Sequence, residues 1–310
     1  MRPTWRRYRT EEDYWRIRPF LREVFLLNGR REVSWTVARW DYWRWPGVES
    51  WGGGPLEEEV FLWELPDGQI AAVLNAEGHG QAFLQVHPGR RTPQLEAEML
   101  EVAEQHLATP GANGRRRLCV WADAQDRLRQ DLLKRRSYAR GAGPECQHRR
   151  SLSAPIPDVP VAEGYTVRAL GDLQELPARS WFSWKAFHPD ESEERYTRLG
   201  WKWYLDIQRC PLYRRDLDIV AVAPNGDLAS FCTVWYDDAT RSAYFEPVGT
   251  YTPYQRRGLA RAVMVEGLSR VRRLGATVAF VGGYSPEANA LYNSVMGPAY
   301  ALSEPWVREV

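Results

Sequence analysis

The sequence predicts a mixed α/β fold present twice in tandem, each copy a central, mostly antiparallel mixed sheet flanked by helices. Three observations predict it. First, two pairs of β-rich runs are joined by tight-turn dipeptides. VFLWEL (60–65) and QIAAVLNAE (69–77) flank Pro66-Asp67-Gly68, and DIVAVA (218–223) and DLASFCTVWY (227–236) flank Pro224-Asn225-Gly226. Asp-Gly and Asn-Gly between such runs are strong hairpin signals. Second, each hairpin leads into the same succession of strand, helix, strand and helix. Third, SAPIPDVPVAEG (153–164) separates the two successions, and its prolines suit neither helix nor central strand. The expected division is therefore a first domain at 1–152, a linker at 153–164 and a second domain at 165–310.

The elements follow in order. AFLQVH (82–87) and AYFEPVGT (243–250) are the third strands, and YTVRAL (165–170) opens the second half. Leu95, Met99, Ala103 and Leu107 share one helical face beside Glu96, Glu98, Glu101 and Glu104. Leu259, Val263, Gly267 and Val271 do the same in the second half, with Arg261, Glu266, Arg270 and Arg273 largely elsewhere. LCVWA (118–122) and TVAFVG (277–282) read as buried strands, each followed by a last helix and a terminal strand.

Composition bounds the function. At about 100–200 residues per domain, 310 residues hold two domains, each able to bury a core. Forty-one Lys+Arg against 40 Asp+Glu leave a formal charge of +1, which argues against a dedicated nucleic-acid binder, since neutralising phosphates needs a surplus of cations. Cys119, Cys146, Cys210 and Cys232 stand far apart, without C-x-x-C spacing or a histidine at ligand spacing. That pattern fits reduced thiols, with no metal site and no disulfide scaffold. The first residues lack the apolar stretch of a signal peptide, and no run is long enough to span a bilayer. The expectation is a soluble cytoplasmic protein, monomer or homodimer, without nucleic-acid or membrane partners.

Two oddities have bland readings. Lys134, Lys185 and Lys202 are the only lysines, which reads as compositional bias before anion recognition. The tryptophans of WDYWRWPGVESW (40–51) read as core or lid packing before a substrate wall. The acidic run Asp190, Glu191, Glu193 and Glu194 reads as a solvated helix face before a lure for a cationic amine, and His188 as a loop residue.

The informative stretch is FEPVGTYTPYQRRGLARAVMVEGL (245–268). A strand ends at Thr250, a short loop holds Gln255, Arg256, Arg257 and Gly258, and a helix begins near Leu259 and Ala260. A helix N-terminus presents free N–H groups and partial positive charge, which suits an anion. Gly258 lacks the Cβ that would hold a phosphate away, Ala260 keeps the next approach small, and Gln255, Arg256 and Arg257 add side-chain donors. No Walker A loop, dinucleotide fingerprint, H-E-x-x-H or G-x-S-x-G occurs. Gln255 to Ala260 instead resembles the Q/R-x-x-G-x-G/A loop with which the GNAT superfamily of N-acyltransferases binds the diphosphate of acetyl-CoA. The resemblance covers most of 165–310.

Acyl transfer from a thioester to an amine needs a base, a polarised carbonyl and an acid. Period-2 geometry places Glu246, Val248 and Thr250 on one strand face, where a partly buried Glu246 can take the amine proton. The resemblance supports that role. It also implies that the backbone of Val248, Gly249 and Thr250 pairs with the pantetheine arm, one amide facing the thioester oxygen. Ser285-Pro286 starts the last helix, and ANALYNSV (288–295) is similar to the family's A-x-x-L-Y segment. Tyr292 is then the acid for the departing thiolate, and Asn289 a ligand for the pantetheine or phosphate end. Met296-Gly297-Pro298 departs from the family's Gly-Phe and leaves the register of the last strand open.

In the first half, Gln94 stands for Gly258, Glu96 for Ala260, Ala82 for Glu246, and a leucine of LLKRRSY (132–138) for Tyr292. It resembles such a domain stripped of its acyl-CoA site. The reading is an enzyme that moves an acetyl or another small acyl group from CoA to a primary amine of a small molecule, by direct transfer in a ternary complex. Acylation of a protein or peptide amine, and a non-catalytic acyl-CoA sensor, are the alternatives.

Overall fold

The computed structural model describes residues 2–48, 54–111 and 114–310. Residues 49–51, the end of the tryptophan-rich run, lie outside the described residues. The chain divides into two compact units, Met1–Gln147 with Ala301–Val310, and His148–Tyr300.

The first unit opens with β1 (Thr4–Arg7), α1 (Glu11–Leu27), α2 (Val37–Tyr42) and α3 (Leu56–Glu59). The expected hairpin follows as β2 (Val60–Glu64) and β3 (Ile70–Asn75), then β4 (Gln81–Val86), α4 (Pro93–His106) and β5 (Thr109–Pro110). β6 (Arg116–Asp123), α5 (Arg127–Arg135) and β7 (Ala139–Arg140) complete this run. Trp35, Trp40 and Trp43 are buried in this unit's core with Tyr14 and Leu21, so among the described residues core packing explains the tryptophan-rich run.

β8 (Glu145–Ser151) crosses the boundary, its residues from His148 onward belonging to the second unit. That unit continues with β9 (Thr166–Ala169), α6 (Leu176–Phe187), α7 (Glu193–Leu199) and α8 (Trp203–Arg209). Its hairpin is β10 (Asp218–Val222) and β11 (Leu228–Asp237), followed by β12 (Ser242–Thr250), α9 (Leu259–Arg273), β13 (Val278–Gly283) and α10 (Pro286–Met296). Its core gathers Ile219, Val234, Phe245, Val263 and Leu268 around the helix stripe expected from the sequence. The segment expected as a linker packs here too, with Ile156 and Ala162 against the same core.

The two sheets have one plan. In the first unit three antiparallel pairings, β1-β2-β3-β4, lead to a parallel pair in which Gln81 lies opposite Cys119 of β6. In the second, β9-β10-β11-β12 are antiparallel, and β12 runs parallel to β13 with Ser242 opposite Val278. The remaining strand of each sheet arrives out of chain order. β14 (Ala299–Glu309) lies in the first unit from Ala301 on, antiparallel to β6 with Ser303 opposite Asp123. The strand position next to β13 is filled by β8. The expected second domain at 165–310 is corrected accordingly: its last ten residues belong to the first unit's sheet, and His148 to Ser151 to the second. The physical reason is the buried face of β14, which sets Trp306 (3% exposed) into the first core. Among the described residues no helix is long and apolar enough to cross a membrane.

Trp306→Ala should therefore destabilise the first unit, by about 3–5 kcal/mol from the lost burial and residual cavity. Denaturant unfolding with hydrogen exchange resolved by segment checks this. Protection should fall in β6 and its neighbours while β10–β12 keep theirs.

Candidate active site

The site begins where two parallel strands part. β12 and β13 pair at Ser242–Val278, Ala243–Ala279 and Tyr244–Phe280, and the parallel ladder ends there. On its other edge β12 carries a bulge: Val234 lies opposite Phe245 and Cys232 opposite Val248, so Thr233 faces both Glu246 and Pro247. An extra residue shifts the alternation of sides. Val248 and Thr250 thus share the side of Cys232 and Ser230, while Glu246 takes the side of Thr233. The expectation that Glu246, Val248 and Thr250 share one face is corrected on this ground, since strict period-2 counting assumes an unbroken ladder. The Trp235 indole N–H donates to the Glu246 carbonyl at the bulge.

Past the bulge, the strand lines a cavity of about 700 Å³ with Val248, Gly249 and Thr250. Gly249 has a packing reason: a Cβ there would stand 2.4 Å from Cζ of Phe231. The Ser230 and Thr250 hydroxyls lie 2.8 Å apart, and the Gln255 amide donates to the Thr250 carbonyl (3.3 Å), closing the strand end onto the loop.

The loop then turns through two left-handed residues, Arg256 (φ 62°) and Gly258 (φ 75°). Glycine takes that conformation without the Cβ penalty. A Cβ on Gly258 would meet no protein atom within 4 Å, so no packing contact requires its absence. α9 starts at Leu259 without a side-chain cap, and its first intrahelical bond is Ala262 N–H to Gly258 carbonyl (3.0 Å). The N–H groups of Leu259, Ala260 and Arg261 have no intrahelical acceptor, by the geometry of a helix start. All three residues line the cavity, with Gln255, Arg256 and Gly258. Uncapped amides, the helix dipole and two guanidinium groups make the electrostatics of this end favourable to an anion. Arg257 is not part of the wall; its guanidinium lies over the Tyr254 ring, 6.0 Å from the centroid, and donates to the Pro253 carbonyl.

Tyr292 forms the opposite part of the same wall, on α10, whose N-terminus is capped by Ser285 accepting from Ala288 N–H (3.1 Å). Burial pushes the Tyr292 phenol well above the ordinary tyrosine range, and the charge of Glu246 pushes it further the same way. The hydroxyl therefore carries its proton at neutral pH, as an acid requires. Asn289 does not line the cavity: its side chain is turned to His148, Nε2···Oδ1 3.0 Å. The half-buried Asn289 thus spends its side-chain oxygen on His148. Burial also lifts the Cys232 thiol far above its ordinary value and Cys119 to about 11, so neither is a thiolate nucleophile at neutral pH.

Single-residue reading missed other parts of the site. Ala186 and Phe187 at the end of α6 line the cavity, and Phe187 is 52% exposed. An exposed phenylalanine ending an apolar helix was the signal available. His188 is not a bare loop residue: it stacks on Trp184, 5.4 Å between centroids, and pairs with the Trp184 carbonyl. The acidic run is held on the surface, with Glu191 bridged to Arg195 (2.8 Å), and forms no part of the cavity.

The equivalent place in the first unit is filled from within. The loop after β4 leads to α4, capped by Thr92 accepting from Leu95 N–H (3.1 Å). In the first turn the Glu96 carboxylate is fully buried, bonded to Arg91 and to Arg129 Nε (3.0 Å). Arg91 also holds Asp126 at 2.6 Å. Burial alone would raise the Glu96 carboxyl, but the charges and hydrogen bonds of Arg129 and Arg91 outweigh it and hold it below the usual glutamate range. A buried carboxylate of the chain itself thus stands in the first turn of this helix, paired with two arginines, where the second unit has Ala262.

No protein-family model matches the chain, and no curated protein matches it. Solved structures do. A GCN5-related N-acetyltransferase from Sphaerobacter thermophilus is 19% identical, with 99% of this chain and 95% of that chain covered and a TM-score of 0.66. A tandem GNAT protein from the clavulanic acid biosynthesis pathway is 15% identical over 99% and 98%, TM-score 0.62. A GNAT-family acetyltransferase from Colwellia psychrerythraea is 10% identical over 98% and 99%, TM-score 0.63. The chain has the GNAT fold. Over its full length it is similar to a protein in which that fold occurs in tandem.

A carboxylate whose native pKa lies below its unfolded value contributes stability that is complete above the unfolded value and lost as pH falls through the native one. For Glu96 that places the loss below the ordinary glutamate value of 4.5. Glu96→Gln should cost the first unit about 3 kcal/mol at pH 7, by stranding buried Arg129, and should flatten the acid limb of its stability profile. Urea unfolding at pH 7 and through the acid range measures both. An unchanged acid limb would contradict the assignment.

Proposed function

We propose that the second unit is an N-acyltransferase that moves an acetyl or another small acyl group from CoA to a primary amine of a small molecule. One observation carries this reading. A single cavity joins the uncapped start of α9 to the protonated phenol of Tyr292 and to the free edge of β12. The residues present fit the donor. The amides of Leu259, Ala260 and Arg261 take the charge of a diphosphate, with Arg256 beside them. The backbone of Val248, Gly249 and Thr250, beyond the last pair with β13, offers strand-like hydrogen bonds to an amide-bearing arm. Acetyl-CoA supplies an activated thioester when bound.

The chain's own groups then divide the proton work. Glu246, half-buried at the bulge, accepts the amine proton through water. Tyr292 gives its proton to the departing sulfur; Glu246 acts on the Tyr292 phenol electrostatically, so base and acid belong to one neighbourhood. With Cys232 fully buried and its thiol pushed up, direct transfer from donor to amine is the favoured route. The first unit, its helix end closed by Glu96, has a structural part, and donor binding belongs to the second.

Thermal-shift titration with acetyl-CoA and longer acyl-CoAs, followed by an amine panel with detection of released thiol, tests the reading. Saturating acetyl-CoA at about a hundred times Kd should stabilise the protein by about 2.7 kcal/mol. Gly258→Glu, which puts a carboxylate and a strained Cβ at the open amides, should abolish that shift, while Gln94→Glu in the first unit leaves it intact. Tyr292→Phe should keep the shift and lower kcat about a hundredfold or more. Donor binding without thiol release across the panel would instead mark an acyl-CoA sensor.

A further inference from the structure

We propose that His148 is a positioning residue that sets the Tyr292 phenol by holding α10 at both of its ends, an inference that rests on the acyltransferase reading above. His148 is 2% exposed and lies outside the cavity wall. Its Nδ1 donates to the carbonyl of Gly297, just past the C-terminus of α10 (2.8 Å). Its Nε2 meets the side-chain amide of Asn289 in the first part of the helix (3.0 Å). Its ring packs edge-on against Tyr292, with centroids 5.9 Å apart at 70°. One imidazole thus touches the helix before, at and after the residue whose proton the reaction needs.

Against the neighbouring strand β13 the helix has little room. A Cβ on Gly283 of β13 would stand 2.4 Å from Asn289 Oδ1 and 3.0 Å from Tyr292 Cδ2. Asn289 is therefore gripped between the β13 backbone and His148, and Tyr292 lies one turn further on. Arg150 on the same strand as His148 adds a bond to the Val295 carbonyl (3.0 Å). Buried polar groups are satisfied by specific partners. Here the partners of one buried ring fix the roll and slide of one short helix. A catalytic group displaced by about 1 Å can lose about a hundredfold in rate. Because His148 lines no part of the cavity, its influence falls on the chemical step and not on donor binding.

The test compares His148→Leu, which removes both bonds, with His148→Gln and His148→Asn, each able to keep one. His148→Leu should lower kcat about 10–100-fold, as supporting-residue losses do. The acetyl-CoA KM and the thermal shift should stay within about threefold and unchanged, since ground-state contacts are untouched. The conservative variants should recover part of kcat. The decisive measurement is a cycle with Tyr292→Phe: once the phenol is gone, His148→Leu should cost no further kcat. An equal loss of kcat in both backgrounds would overturn the inference while leaving the acyltransferase reading standing, as would a loss confined to KM. Full turnover in Tyr292→Phe would overturn the acid assignment and this inference with it. If His148→Leu fails to fold, the Gln and Asn variants carry the same cycle.

Discussion

Two parallel strands that pair for three residues and then separate create the space around which the second unit's candidate site is built. β12 and β13 lose their ladder after Tyr244 and Phe280, and the two-against-one bulge at Glu246 and Pro247 bends β12 at that point. Everything ascribed to the site lies around the opening. The free strand edge leads to Thr250, the left-handed Gly258 turns the chain, and α9 begins with open amides. Across the gap, α10 brings Tyr292. Closing the ladder would remove the cavity and the hydrogen-bonding edge together.

The two units apply one architecture to opposite electrostatic ends. In the second, the helix after the parallel strand starts uncapped into solvent, and its positive end is available to a ligand. In the first, Thr92 caps the corresponding helix, and Glu96 with Arg91, Arg129 and Asp126 forms a closed network at its first turn. A buried carboxylate needs its cations, and the cations need it. Breaking that network by removing one partner would leave a buried charge uncompensated.

The strand exchange adds a second coupling between chain order and site. The last strand serves the first unit through Trp306, and β8, with Leu152 just after it, serves the second through His148 and Arg150. Residues near position 150 look in sequence like the tail of the first domain. In the structure they brace α10.

The sequence by itself determined the two-fold repetition, the hairpins around Gly68 and Gly226, the amphipathic stripes of the two long helices, and the loop from Gln255 to Ala260. Those features are written in short-range chemistry: turn residues with positive φ, a periodicity of 2 or 3.6, and a glycine ahead of a helix. Tertiary structure alone decided which side Glu246 faces, because a bulge reads in sequence as an ordinary Glu-Pro step. It also decided that Asn289 turns inward to His148, that Arg257 leaves the wall, and that the final ten residues complete the other unit's sheet. Except for Arg257, whose partners Tyr254 and Pro253 are local, each of these depends on a partner more than a hundred residues away or on register across a ladder. Neither leaves a local mark on the chain, since the free energy that selects them comes from burial and pairing between distant segments.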